Sequence, residues 1–216
     1  MKLYRYKNFI KESNENYIDS ICRKYLIRSY TINDDLSIDV DGDIYLEYHS
    51  LTKLPLNFRN VSGDFSCRNN QLTSLEGGPN KVGGCFNCNN NKLTSLLGAP
   101  REVGNGFYCS GNKLTSLEGI SQYISGVINV RLNQLIDVRG VKDGWRGQFL
   151  MGGNPVQKIF KLFPKERWDE VIEYLNEHEV IRDGKVVVLA ALELVFYDMG
   201  LEVPDIDEIE EYQIQY

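Results

Sequence analysis

Long apolar runs are missing from this chain. Nowhere do about 18 apolar residues follow one another, so no membrane span is expected. The N-terminus, Met1-Lys2-Leu3-Tyr4-Arg5-Tyr6-Lys7, lacks the apolar core of a signal peptide, and cytoplasmic residence is the expectation. A positive charge excess is missing too: 24 Lys and Arg stand against 30 Asp and Glu, a net charge of -6. Such a chain repels phosphate backbones, which argues against nucleic acid as a partner. Histidine is scarce, with two in 216 residues. No nucleophile elbow, phosphate-cradling loop or metal-ligand cluster appears, so neither an enzyme nor a bound cofactor is expected. The five cysteines are an odd number without a secretory signal, which speaks against a disulfide framework.

What is present is a repeat. Asn recurs at 70, 91, 112, 133 and 154, each step being 21 residues. Behind it follow Leu72, Leu93, Leu114, Leu135 and Val156, then Leu75, Leu96, Leu117, Val138 and Ile159. Ahead of it run Phe65, Phe86, Phe107, Ile128 and Phe149, and Cys67, Cys88, Cys109, Val130 and Met151. A further column holds Val61, Val82, Val103, Ile124 and Trp145. One step earlier lies a degenerate coil of Val40, Ile44, Leu46, Leu51 and Leu54, with His49 at the Asn position. About six coils result over residues 40–159, the terminal two irregular, as solenoid ends are.

Val82, Gly84, Phe86 and Cys88 alternate with Gly83, Cys85 and Asn87, which predicts a strand with one buried face. Stacking of coils would lay these strands side by side as a parallel sheet. Gly77, Gly98, Gly119 and Gly140 mark the turn after the leucines, and 21 residues leave little room for a helix there. The pattern Φ-x-C-x-x-N-x-L-x-x-L matches a leucine-rich-repeat core with Phe and Cys in place of two leucines. The expected fold is α+β: a leucine-rich-repeat solenoid between an N-terminal helix and hairpin cap, residues 1–39, and a C-terminal helical cap, residues 160–216.

In the N-terminal cap, Ile18, Ile21, Cys22 and Tyr25 predict a helix over residues 14–26 begun by Ser13, followed by a hairpin around Asn33-Asp34-Asp35. In the C-terminal cap, Trp168, Val171, Ile172 and Leu175 predict a helix after Pro164, and residues 187–199 a second, with 186–188 open to a strand reading. Asp183-Gly184 signals a turn, residues 205–211 are acidic, and the tail 212–216 is either an edge strand or disordered.

The run Gly111-Asn112-Lys113-Leu114-Thr115-Ser116-Leu117-Glu118-Gly119, with Phe107-Tyr108-Cys109 ahead of it, resembles the leucine-rich-repeat proteins carried by tailed bacteriophages. Residues 37–43, 51–56 and 195–204 are similar to that family as well. The resemblance covers most of the chain and implies a phage-encoded repeat protein. It specifies a fold and names no activity. The fifth coil departs from the pattern, with Val130 for Cys and Ile136-Asp137-Val138 for Thr-Ser-Leu.

Each chemically suggestive group has a structural reading. Cys67, Cys88 and Cys109 share an inward column and should stack as small buried hydrophobes. Cys85 and Cys88 are three apart on a strand, so their thiols face opposite sides and no zinc site follows. The Asn column should hold turns through side-chain amide bonds to its own and the neighbouring coil. The Thr-Ser pairs at 73–74, 94–95 and 115–116 should satisfy turn backbone or face solvent. Asp39, Asp41 and Asp43 project from one outer face with Asp64 one coil on; calcium-loop spacing is absent, and a solvated, edge-guarding face is the expectation. His49 reads as structural.

The outward strand face remains. Its candidate partner-binding residues are Tyr45, Asp64, Ser66, Asn87, Tyr108 and Asn129, with Arg68 and Arg131 just beyond. Tyr108, between small neighbours Gly106 and Ser110, either stands clear of the sheet as an exposed aromatic anchor or packs along it against Asn87 and Asn129. Mixed polar and aromatic surface without strong charge suits a protein partner. The function expected is a non-enzymatic protein-binding module or scaffold acting on a host or phage protein. The alternative is an inhibitor or sequestering protein for a small ligand or nucleotide, which a concave patch of convergent cations would favour.

Overall fold

The computed structural model describes residues 2–141, 147–182, 185–206, 209 and 212–215, with the backbone alone for residues 2–11 and 176. The chain forms a parallel-strand β-solenoid of about five turns of about 21 residues, flanked by a few helices. Each turn carries two short strands, not the one expected from the alternation at 82–88. One six-stranded sheet is ordered Tyr30–Ile32, Ile38–Val40, Phe58–Val61, Lys81–Val82, Glu102–Val103, Tyr123–Ile124; we term it the valine sheet. The other is ordered Ile44–Tyr45, Phe65–Ser66, Phe86–Asn87, Phe107–Tyr108, Ile128–Asn129, Phe149–Leu150 and is termed the phenylalanine sheet. Its six strands are separated by five 21-residue steps, which is why six columns make about five complete turns.

The expected single strand breaks because hydrogen-bond direction reverses between its ends. In the valine sheet Gly83 N–H donates back to Val61 O at 2.9 Å, and Gly84 N–H donates back to Gly63 O at 2.9 Å. Two successive amides facing one way interrupt the pleat, in which neighbours alternate. Past this corner Phe86 N–H donates forward to Gly106 O at 3.0 Å. The corner needs glycine: a Cβ on Gly83 would lie 2.1 Å from Ser62 O, and one on Gly84 2.1 Å from Asp64 Oδ1.

A second corner precedes the Asn column. Tyr48, Asn69, Asn90, Gly111, Leu132 and Gly153 all have positive φ, between 53° and 77°. Asn and Gly tolerate this region, whereas Tyr and Leu do so at a cost. The Asn column then locks the coils. Asn91 Oδ1 accepts Leu72 N–H at 3.0 Å, while its Nδ2 donates to Cys67 O at 3.0 Å and Cys88 O at 3.1 Å. Asn70, Asn112, Asn133 and Asn154 repeat the same bonding. Between these corners run the buried ladders: Phe65, Phe86 and Phe107 meet ring to ring at 5.7 and 5.4 Å, with Phe58 of the valine sheet against Phe65 at 5.1 Å and Cys67, Cys88 and Cys109 buried beside them. Trp145 of the valine column lies outside the described residues.

The fifth coil keeps its turn despite its different sequence. Ser74 and Ser95 accept the amides of Glu76 and Leu97 at 3.0 and 3.1 Å, and in the same column Asp137 accepts that of Arg139 at 3.1 Å. A carboxylate thus replaces a hydroxyl in one turn function.

Helix α1 spans Lys2–Lys24 and begins 12 residues before the expected start at 14. No Pro or Gly interrupts those residues, so the helix propagates through Ser13. Tyr30–Ile32 pairs antiparallel with Ile38–Val40, the expected hairpin displaced slightly in register. After the last coil come α2, Gln157–Phe160, which the sequence did not announce, a 3-10 turn Lys165–Arg167 behind Pro164, and α3, Trp168–Glu177. Val186–Val188 opens as a strand before α4, Leu189–Asp198, and Gly200 follows at φ 65°. The tail strand Gln213–Gln215 pairs parallel with Val186–Val188, and Tyr212 Oη donates to Ile136 O at 2.7 Å, tying the tail to the solenoid. The turn expected at Asp183-Gly184 lies outside the described residues, as does most of the acidic stretch 205–211. No helix among the described residues is long and apolar enough to cross a membrane.

Candidate functional site

The register of the phenylalanine sheet places one outward residue per coil at a common height: Tyr45, Ser66, Asn87, Tyr108, Asn129 and Leu150. These positions do not form the uniformly exposed face expected. Tyr45 is 56% exposed, with its hydroxyl donating to Asp43 Oδ2 at 3.2 Å. Ser66 is buried, which corrects its assignment to the open surface. Its hydroxyl donates to Glu47 Oε1 at 2.6 Å, and Arg68 pairs with the same carboxylate at 2.9 Å, so a polar cluster of adjacent coils covers it.

Tyr108 does not stand clear of the sheet. A Cβ on Gly106 would lie 2.5 Å from Tyr108 Cε2 and 2.6 Å from its hydroxyl. The ring therefore lies across the glycine backbone, half-buried. Small neighbours offered the ring a floor, because an aromatic face gains more from packing on backbone than from standing in water. Asn87 folds back to accept Asn89 N–H at 3.1 Å, and Asn129 accepts the Ser110 hydroxyl at 2.7 Å. Arg131 is exposed and reaches along Gly152, with no ion pair among the described residues.

The acidic corner has a structural use. Asp43 Oδ1 accepts Asp64 N–H at 2.7 Å, and Asp64 Oδ1 accepts Cys85 N–H at 2.6 Å. Asp41 accepts the Ser62 hydroxyl at 2.9 Å, and Asp39 pairs with Arg59 and Asn60. The Arg59 guanidinium beside Asp39 holds its carboxyl below the usual range. Among the described residues no three His, Cys, Asp or Glu side chains gather where a metal ion would be held. Cys85 is half-buried and Cys88 buried. His49 is exposed and meets Tyr25 edge-on at 5.0 Å.

Two features of the surface were not anticipated. Tyr48 and Leu132 are 70% and 67% exposed at left-handed corners where the other coils carry Asn or Gly. The column was legible in the sequence, but its backbone conformation was not. A groove of about 880 Å³ also runs between α1 and the turns of the first coils, lined by Tyr17, Ile21, Lys24, Lys53, Leu54 and Glu76 among others. Scans of protein-family models, of curated proteins and of solved structures find no match to this chain.

Proposed function

We propose that this protein is a non-enzymatic protein-binding module of the leucine-rich-repeat type, with residues 1–39 and 160–216 acting as its caps. The observation that carries this reading is the register: six strands present corresponding outward positions along one sheet, and chemistry varies from coil to coil while the backbone does not. Such a surface offers many spaced contacts to an extended partner and no single convergent site. The repeat residues at 107–119 are also those that resemble tailed-phage proteins, so a host or phage protein is the partner class proposed.

Exposed Tyr45 takes the role of aromatic anchor that the packed Tyr108 cannot fill. The small-ligand reading is the weaker one: the groove beside α1 mixes Lys24 and Lys53 with Glu76 and does not select an anion. Affinity capture on the immobilised chain tests the proposal. A specific protein should be retained by the native chain and by Lys92→Glu outside the sheet face, and lost with Tyr45→Ala or Asn87→Arg. Equal retention by all four would move binding off this face.

A further inference from the structure

The two sheets begin differently at the first coil. In the valine sheet, Ile38–Val40 is covered by Tyr30–Ile32. In the phenylalanine sheet, Ile44–Tyr45 is the terminal strand. Its residues Ile44 and Leu46 donate inward, to Asp64 O at 2.8 Å and Ser66 O at 2.7 Å. In a parallel ladder the intervening amides face the other way, so those of Tyr45 and Glu47 point off the end of the solenoid. No described residue accepts from either. An uncovered edge of this kind is a template for another strand.

The surroundings select what kind. Tyr45 and Tyr48 flank the edge, both more than half exposed. Asp41, Asp43 and Asp64 lie around it, each accepting a hydrogen bond and none matched by a cation among the described residues. Asp39 and Glu47 differ, being paired with Arg59 and Arg68. Desolvation, the hydrogen bond to Asp43 and the neighbouring Asp43, Asp64 and Glu47 carboxylates push the Tyr45 phenol up. A second copy of this chain meeting edge to edge would bring like charges together, which is unfavourable.

We propose that the edge at residues 43–48 binds an extended, lysine- or arginine-bearing segment of another protein as an added strand. The amides of Tyr45 and Glu47 donate to carbonyls of that segment. Its cationic side chains lie on the face of Asp43 and Tyr45, within reach of Asp41, Asp43 and the Tyr45 ring, and its intervening residues fall on the face of Ile44 and Leu46. This is strand addition, with backbone bonds supplying affinity and charge supplying selectivity. It rests on the protein-binding reading and adds a second, end-on contact to the sheet face.

The test uses the full chain, isotope-labelled, and a synthetic peptide alternating Lys with Val. The expected result is a shift and added exchange protection at the Tyr45 and Glu47 amides, with binding that weakens as salt rises. An alternating Glu-Val peptide should not bind, and backbone N-methylation of the Lys-Val peptide should abolish the signal. Tyr45→Pro removes one donor and the ring together, at an edge where proline is tolerated, and should weaken binding roughly tenfold more than Tyr45→Ala, which removes the ring alone. Asp41→Asn with Asp43→Asn keeps the acceptors and should weaken binding through charge alone. Asn87→Arg on the sheet face should leave peptide binding intact, which separates this proposal from the face reading. Undisturbed edge amides, equal binding of the N-methylated peptide, or edge-mediated dimerisation of the chain would overturn it.

Discussion

The valine and phenylalanine sheets are built by the same 21-residue turn, yet they are held together by different means. The middle strands of the phenylalanine sheet are backed by the rings of Phe65, Phe86 and Phe107, by the buried thiols of Cys67, Cys88 and Cys109, and by Asn side chains bonded to two coils. In the valine sheet beyond the second coil, each strand buries one residue or less, and neighbours are joined at the surface, as in the Lys81–Glu102 pair at 2.8 Å. Burial against like residues removes apolar area from water. Exposed ion pairs are screened and must order long side chains. The comparison teaches that the repeat keeps its stability on one side and leaves the other free to vary.

The largest expected effect follows directly. Phe86→Ala should cost roughly 3–5 kcal/mol in denaturant titration, because both stacked neighbours lose contact. Val82→Ala in the other sheet should cost about half of that or less. Equal losses would erase the distinction. Asn91→Leu should cost about 2–4 kcal/mol, since Leu72 N–H and two cysteine carbonyls lose their partner in the interior. A loss within error would mean that water replaces the amide.

The thiols sharpen the comparison through pH. Burial pushes the Cys67 and Cys88 thiols well up, and Cys22 from about 9 to about 11. The folded state keeps these groups neutral while the unfolded chain ionises them near 9. Their contribution to stability is therefore complete below about pH 9 and is lost progressively as pH rises through the folded-state values. The melting temperature should fall above pH 9, and less so in Cys67→Ala compared with its own neutral-pH value. Alkylation should follow the same logic: half-buried Cys85 reacts in the native protein, and Cys67, Cys88 and Cys109 only after unfolding.

Smaller effects lie at the surface. Leu132 occupies a left-handed corner at φ 53° that Asn69 and Asn90 fill in earlier coils. Leu132→Asn should stabilise the chain by about 1 kcal/mol by relieving that conformation. A loss would show that the Leu132 side chain, which lies against Gly153, makes packing contacts that Asn does not replace. Lys81→Met, breaking an exposed ion pair, should leave the unfolding midpoint unchanged.

The Asn, Phe and Leu columns were readable because each position must satisfy the same environment in every turn, so the period records burial directly. The number of sheets was not readable. Alternation across 82–88 is the same for one straight strand and for two strands meeting at a corner, and hydrogen-bond direction leaves no mark in residue type. The glycines of the corner were visible, but only the approach of Ser62 O and the Asp64 carboxylate explains why Gly83 and Gly84 stand there. For the candidate site, the outward column was placed correctly, whereas exposure within it was not. Ser66 and Tyr108 share that column with Tyr45, and what separates them is Glu47 of the adjacent coil over Ser66 and Gly106 of the same coil beneath Tyr108.

Solenoid architecture, turn length and the buried ladders thus follow from residue order, because repetition imposes a local requirement that each residue meets alone. Which side chain is open to a partner depends on contacts 19 to 21 residues distant, such as Ser66 with Glu47 and Asp64 with Asp43. So does the free edge at Tyr45, which exists because the hairpin at Tyr30–Ile32 covers the valine sheet and stops short of its neighbour. That coverage depends on how the turns stack in space, a relation between coils that no single repeat contains.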